Sequence, residues 1–260
     1  MIDIVTDLQA EQQALDTVIG AIDPSAWRLP TPAPAWDVGD QIGHLTFFDE
    51  RAAMAIRDEE AFSAELDRAS ADMGAYMASH LATARSSSPR EQLNQWRSAR
   101  VQVLKALASL EPSTRVPWYG PGMSARSFAT ARIMETWAHG QDIIDAIGVH
   151  RTPTNRLRHI AFLGVRTMAW SFTINGIDVP DQPVHVDLSG PDGDRWVWNE
   201  GCEENNVRGT AEDFCLVTTQ RRHVSDTDLV VEGTIADRWM NIAQAFAGPP
   251  GAGRVSGQFR

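Results

Sequence analysis

Helix-start and helix-stop signals divide the first 150 residues into long segments, and this division constrains the fold more than any other feature. Asp37 precedes one segment and the run 88–91 (Ser-Pro-Arg-Glu) precedes another, and both are typical helix N-termini. Gly20 and Gly148 each follow a segment, where glycine commonly ends a helix. Residues 27–36 contain three prolines within five positions and predict an extended connector. Long helices with short connections indicate an α-helical bundle.

The two parts of the chain have different patterns. The first part predicts helices, and the second predicts both helices and strands. We predict helices at residues 3–20, 38–58, 60–85 and 89–110, followed by one that Ser124 or Ser127 caps and that ends at Gly148. Beyond Pro153 we predict a helix at 154–174, a hairpin of 184–188 with 196–198, a helix that starts after Thr210 and ends near Arg221-Arg222, a strand at 229–231 and a helix at 234–246. The fold class is therefore α+β, with a helical bundle over residues 1–150 and a smaller α/β domain over residues 151–260.

Composition excludes some partners and suggests a compartment. The formal net charge is -11 and the sequence pI is about 5.0, which argues against nucleic acid and anionic membrane surfaces as partners. No run approaches the roughly 20 apolar residues of a membrane span, and the first residues have no signal-peptide pattern. The two cysteines form no CxxC pair. We expect a cytoplasmic protein that acts on a small molecule; the sequence leaves monomer and homodimer open.

The segment 130–142 carries the strongest chemical pattern in the chain. Glu135 and His139 lie four residues apart, so a helix places both side chains on one face, where they can bind the same metal ion. Asp142 follows three residues later and is a candidate partner for the outer nitrogen of an imidazole ligand or for a bound water. Two ligands are too few, and His44 on the second predicted helix is the candidate third.

The spacing also has a simpler interpretation. A carboxylate and a histidine four residues apart are common on helices, and a single histidine between packed helices usually serves the core. The nine tryptophans likewise fit either core packing or a cavity for a hydrophobic ligand. Spacing by itself therefore does not decide between a metal centre and a structural cluster.

A resemblance to a known family favours the metal. Residues 31–38 (TPAPAWDV) and 40–45 (DQIGHL) resemble the opening motif of the mycothiol-dependent maleylpyruvate isomerase family, part of the DinB-like superfamily. The second hallmark of that family is an ExxxHxxD helix about ninety residues later, and Glu135 lies 91 residues after His44. Ala35 stands where the family usually has glycine, and the chain is most similar to an actinobacterial subgroup known only as metal-binding proteins.

The resemblance implies a site and a class of reaction. It implies a DinB-like bundle that binds a divalent metal, typically zinc, through His44, Glu135 and His139. It also implies an arginine near the C-terminal helix that faces the active site, either Arg221 or Arg222, because the family's Gly-Arg pair is altered here. Ni²⁺, Fe²⁺ and Mn²⁺ suit the same ligands.

These implications define the expected function and its alternatives. The expected function is that of a metal-dependent isomerase or thiol transferase, with mycothiol as candidate cofactor and a small electrophilic or carboxylate-bearing substrate. The alternatives are a thiol-independent metal-dependent isomerase, lyase or cyclase, and a non-catalytic protein that binds a small ligand.

Overall fold

The computed structural model of the protein describes residues 1–202 and 204–259. The chain divides into two compact units, Met1–His150 and Arg151–Arg260. The fold is α+β, with a helical bundle in the first unit. No helix of the described part combines the length and the apolar character needed to cross a membrane.

The first unit is built from helices whose ends follow the caps in the sequence. Its helices are α1 (Ile2–Ile19), α2 (Val38–Arg57), α3 (Glu59–Ala71), α4 (Met73–Arg85), α5 (Pro89–Ala108) and α6 (Ala125–Ile147), with a 3₁₀ helix at Pro24–Arg28 and a short antiparallel pair of β1 (Arg115–Val116) and β2 (Met123–Ser124). Helix α2 packs against α4, α5 and α6, and α1 packs against α5 and α6. The core between these helices contains Leu15, Trp27, Ile42, Trp96 and Ile143. Burial of such large side chains is the main stabilising contribution.

The single helix predicted at 60–85 is wrong, because two helices occupy this stretch. Asp72 separates α3 from α4 with an extended backbone (φ -159°, ψ 92°), and its carboxylate accepts the backbone N–H of Ala75. An aspartate that caps a new helix ends the old one, since its side chain satisfies a free N–H of the next first turn. No residue of α4 is fully buried, which agrees with the weak apolar stripe in the sequence.

The second unit places helices beside a four-stranded sheet. Its elements are α7 (Leu157–Arg166), α8 (Met168–Ile174), β3 (His185–Ser189), β4 (Arg195–Trp198), β5 (Asn206–Thr210), α9 (Ala211–Thr218), β6 (Val230–Glu232) and α10 (Thr234–Ile242). The strand order is β4-β3-β5-β6. Strands β3 and β4 form the predicted hairpin, with Leu188 opposite Trp196. Strand β5 is absent from the predicted elements; it pairs parallel with β3 and antiparallel with β6.

Three predicted helix boundaries in this unit need correction. The helix predicted at 154–174 breaks at Thr167, which ends α7 and precedes α8. Helix α9 ends at Thr218 rather than near Arg221, because Gln220 adopts a left-handed conformation (φ 59°) that a helix does not continue through. Helix α10 ends at Ile242, since the following Ala243 is extended (ψ 133°).

Candidate metal centre

Helix α2 carries the first histidine, and its N-terminus is fixed by reciprocal hydrogen bonds. Asp37 Oδ1 accepts the N–H of Asp40 at 2.8 Å, and Asp40 Oδ2 accepts the N–H of Asp37 at 3.0 Å. Arg85 holds the same Asp40 carboxylate through its Nε and Nη2 atoms at 2.9 and 2.8 Å. This capping box defines where α2 begins and therefore where His44 lies, about two turns into the helix.

Helix α6 carries the other two predicted ligands. It begins after Ser124, whose side chain accepts the N–H of Ser127, and it ends at Gly148 in the left-handed region (φ 67°). Glu135 and His139 lie in the middle of this helix, where the backbone is regular and their side chains share one face.

The side chains of His44, Glu135 and His139 converge on a common point. Each residue offers one ligand atom, and these atoms all lie within 4.8 Å of one another. Glu135 Oε2 is 3.2 Å from His139 Nε2 and 3.9 Å from His44 Nε2. The two imidazole ring centres are 4.2 Å apart. The packing of α2 against α6 therefore brings residues from distant parts of the sequence into a single cluster.

The electrostatics of the cluster favour the forms that bind a cation. Burial, together with the neighbouring His139, lowers the pKa of His44 to about 4, so His44 is neutral at pH 7. Burial by itself raises the pKa of Glu135, but interactions with the neighbouring imidazoles of His139 and His44 outweigh it, and the net pKa is well below its ordinary value. A neutral imidazole at His44 and an ionised carboxylate at Glu135 are the metal-binding states of these two groups.

The donor set fits a divalent ion such as Zn²⁺. Zinc bonds of about 2.0–2.2 Å to nitrogen and oxygen in tetrahedral geometry separate neighbouring ligand atoms by about 3.3–3.6 Å. The observed separations of 3.2 and 3.9 Å bracket this value. The 3.9 Å separation is too long for a hydrogen bond, and His44 Nδ1 has no hydrogen-bond partner within the described residues. The arrangement suits a three-ligand centre with open coordination positions better than it suits a closed hydrogen-bonded cluster.

Aromatic rings lie against both imidazoles. The Trp36 ring stacks on His139 at 5.9 Å and 19°, and it lies 5.2 Å from the ring of His44. Phe48 lies 4.6 Å from His44 and one helical turn further along α2. These rings cover the ligands with apolar surface, which limits the access of water and strengthens electrostatic interactions at the centre.

Gln41 also belongs to the site, although it is absent from the predicted site residues. Its Oε1 lies 2.5 Å from Nδ1 of His139, in the place proposed for Asp142 as partner of an imidazole ligand. Gln41 precedes His44 by three residues on α2, so its spacing could have indicated it. Asp142 lies buried on α6, with 1% of its surface exposed, and its role stays a prediction.

Arg221 and Arg222 follow helix α9 in the second unit. Arg222 lies over the ring of Phe259, with 3.7 Å between the guanidinium carbon and the ring centre. Arg221 Nη1 donates to the backbone carbonyl of Thr219 at 2.6 Å. The predicted role of either arginine at the metal centre stays a prediction.

Comparison with known proteins gives the family. The model of the mycothiol maleylpyruvate isomerase N-terminal domain matches residues 8–144. Two uncharacterized proteins of Mycobacterium tuberculosis, from strains CDC 1551 / Oshkosh and H37Rv, are each 44% identical over 250 residues, which is 96% of this chain and 97% of theirs.

Solved structures give the same fold. The crystal structure of the mycothiol-dependent maleylpyruvate isomerase has a TM-score of 0.60 at 14% identity, and a mutant of that enzyme has a TM-score of 0.58 at 14% identity. Both alignments cover 85% of this chain and 89% of the other. The family model spans more than half of the chain, and within it lie His44, Glu135 and His139. The protein therefore belongs to the mycothiol maleylpyruvate isomerase family.

Proposed function

We propose that this protein is a metal-dependent enzyme that uses a low-molecular-weight thiol, such as mycothiol, to isomerise or modify a small electrophilic substrate. The observation that carries the proposal is the convergence of His44, Glu135 and His139 within 4.8 Å. A structural neighbour is a mycothiol-dependent isomerase, which supports the thiol and the reaction class.

Each ligand has a distinct part in the proposed centre. His44, held neutral by burial, and His139 would supply nitrogen donors, and the ionised Glu135 would supply an oxygen donor and one negative charge. Zn²⁺ is the first candidate, and Ni²⁺, Fe²⁺ and Mn²⁺ suit the same donors. When bound, the metal would lower the pKa of a coordinated thiol and keep it as a thiolate at neutral pH.

The surrounding residues would prepare the site for such a thiolate. Trp36 and Phe48 cover the imidazoles and limit the access of competing water. Asp142 is proposed to orient a water molecule or a ligand group near the centre. A cis–trans isomerisation is redox-neutral in this scheme: the thiolate adds to an electrophilic carbon, and the same C–S bond breaks after rotation.

Arg221 is the preferred arginine for holding a substrate carboxylate. The family resemblance places a glycine before this arginine, and the left-handed region favours glycine. Gln220 has a φ of 59°, which supports Gln220 as the counterpart of that glycine and Arg221 as the residue that follows it. The stacking of Arg222 on Phe259 supports a structural role for Arg222. Arg221→Lys should raise KM for a carboxylate substrate, because the bidentate guanidinium contact is lost, whereas Arg222→Lys should leave KM unchanged.

Metal content tests the centre directly. Purified protein should contain about one equivalent of divalent metal by elemental analysis, and His44→Ala and His139→Ala should each lose it. His80→Ala is the matched control, since His80 lies on α4 outside the cluster. Unchanged metal content in both ligand variants would show that the assignment is wrong.

Calorimetry with mycothiol tests the thiol separately. Heat of binding should appear with the metal-loaded protein and be absent after chelation. Metal binding without any mycothiol heat would favour a thiol-independent metal-dependent isomerase, lyase or cyclase. Absence of turnover of any substrate by the metal-loaded protein would favour a non-catalytic protein that binds a small ligand.

A further inference from the structure

Three hydrogen bonds connect the loop before α2 to the ligand His139. The Thr31 hydroxyl donates to the Trp36 carbonyl, Gln41 Nε2 donates to the Thr31 hydroxyl, and Gln41 Oε1 bonds Nδ1 of His139. We propose that Gln41, oriented by Thr31, is a positioning residue that keeps the proton of His139 on Nδ1 and leaves Nε2 free to bind a metal. This inference rests on the metal centre proposed above.

Thr31 determines which way the Gln41 amide points. The Thr31 hydroxyl donates its only proton to the Trp36 carbonyl at 2.9 Å. Its oxygen must therefore accept from Gln41, and Nε2 of Gln41 lies 2.9 Å away. The reversed amide would face Thr31 with a second acceptor and would require the hydroxyl to give up its bond to Trp36. The amide oxygen of Gln41 is thereby directed towards His139.

The amide oxygen determines the tautomer of His139. Gln41 Oε1 can only accept, so Nδ1 of His139 must carry the proton across the 2.5 Å contact. A neutral imidazole has one N–H, and Nε2 then presents a lone pair at 3.2 Å from Glu135 Oε2. Gln41 is fully buried at 0% exposure, so water does not compete for this bond. A metal ligand oriented by a hydrogen bond at its outer nitrogen is a recurrent arrangement.

One loop holds the imidazole of His139 from two directions. Trp36 stacks on its face, and Thr31 controls the amide that bonds its edge. The loop is closed by a bridge between Pro30 and Asp37 and by the N–H of Thr31, which donates to the Trp36 carbonyl at 2.8 Å. Thr31 and Trp36 of this loop therefore both orient His139, one ligand of the proposed centre.

Nitrogen NMR of the metal-free protein tests the tautomer without any metal. At a pH where His139 is neutral, long-range ¹⁵N–¹H spectra should show the Nδ1–H form of His139 in the wild type. Gln41→Leu should shift His139 towards the Nε2–H form, whereas Gln41→Glu keeps an acceptor and should retain Nδ1–H. Thr31→Val should shift part of the population, and Thr31→Ser should behave like the wild type. A wild-type His139 in the Nε2–H form would overturn the inference.

Zinc affinity provides the second measurement. Gln41→Leu should bind Zn²⁺ about 10–100-fold more weakly than the wild type, which is the usual effect of removing such a hydrogen-bond partner. Gln41→Glu should restore most of the affinity. Circular dichroism and thermal unfolding of each metal-free variant identify loss of fold, and Thr31→Val tests the same relay if Gln41→Leu does not fold.

The NMR and zinc-affinity measurements together distinguish failure of this inference from failure of the proposed function. A wild type that binds no metal would contradict the proposed function, while the NMR arm would still judge the role of Gln41. Wild-type zinc binding with unchanged affinity in both Gln41→Leu and Thr31→Val would contradict the inference and leave the metal centre intact.

Discussion

Helices α2 and α6 are joined by two polar clusters that differ in how their charges are compensated. In the first, Arg132 on α6 donates to Asp49 Oδ1 on α2 through Nε and Nη2 at 3.1 and 2.8 Å, and Gln12 donates to Asp49 Oδ2 at 3.3 Å. In the second cluster, three residues further along α6, Glu135 Oε2 lies 3.2 Å from Nε2 of His139 and 3.9 Å from Nε2 of His44.

The difference separates a structural contact from a candidate metal centre. Arg132 and Asp49 are 3% and 0% exposed, and each buried charge is matched by its opposite. Among the described residues, the basic groups within ion-pair distance of Glu135 are the imidazoles of His139 and His44, and burial favours the neutral form of His44. The charges of Arg132 and Asp49 compensate each other within the protein, whereas the second cluster presents ligand atoms whose negative charge a bound cation would compensate. The same helix interface therefore contains one contact that stabilises it and one cluster that forms the proposed metal centre.

Breaking the ion pair should have the largest effect. Arg132→Met leaves the Asp49 carboxylate buried, and burial already raises the pKa of Asp49 against the opposing charge of Arg132. We expect a loss of about 3–5 kcal/mol in the free energy of unfolding, measured by urea denaturation of metal-free protein. The double variant Asp49→Leu/Arg132→Met should recover a large part of this loss, because both charges are then absent. A cost below about 1 kcal/mol for Arg132→Met would remove the distinction between the clusters.

Metal should stabilise the protein only through the second cluster. At a free zinc concentration of about 100 times Kd, the wild type should gain about 2.7 kcal/mol in the free energy of unfolding. Glu135→Gln should gain far less at the same concentration, since the anionic ligand is removed. Thermal unfolding with and without zinc measures both gains, and an equal gain in the two proteins would place the metal elsewhere.

A third carboxylate, Glu65, is paired with arginines as Asp49 is, and its contribution to stability should depend on pH. Burial raises the pKa of Glu65, but hydrogen bonds from Tyr76, Arg68 and Arg51 outweigh it and lower the pKa from 4.5 to about 2. A depressed folded-state pKa gives stability that is fully present above pH 4.5 and is lost as the pH falls towards 2. Glu65→Gln should therefore cost about 2 kcal/mol near neutral pH and little in strong acid. Urea midpoints across this range measure the slope, and parallel curves for the two proteins would contradict the assignment.

The smallest expected effect concerns the loop that supports His139. Ala35 has a φ of 64°, in a region that side chains with a Cβ disfavour. Ala35→Gly should raise the free energy of unfolding by about 0.5 kcal/mol. Glycine removes the backbone strain of the folded state, and this gain exceeds the loss of stability caused by the greater conformational entropy of glycine in the unfolded chain. Gly148→Ala is the opposite control: its φ is 67° and an added Cβ would meet no atom within 4 Å, so backbone strain alone should destabilise it by about 1 kcal/mol. A destabilising Ala35→Gly would show that the loop does not store this strain.

Local sequence signals predicted the helices of the first unit well. Asp37 and Ser88 cap the helices that they were predicted to cap, Ser124 rather than the alternative Ser127 caps α6, and Gly148 ends α6. The break at Asp72 was missed because its capping bond competes with a continuous helix pattern, and sequence spacing does not show which of the two prevails. The parallel pairing of β5 with β3 was missed because it depends on contacts between segments far apart in sequence.

The sequence by itself determined that Glu135 and His139 share a helix face, because helical geometry makes residues four apart neighbours. Family motifs added His44, but only the packing of α2 against α6 brings its ligand atom within 4.8 Å of the other two. Tertiary structure also decided that Gln41 bonds His139, since this contact spans 98 residues. Spacing along one helix is a local property of the chain, whereas the meeting of two helices depends on how the whole core packs.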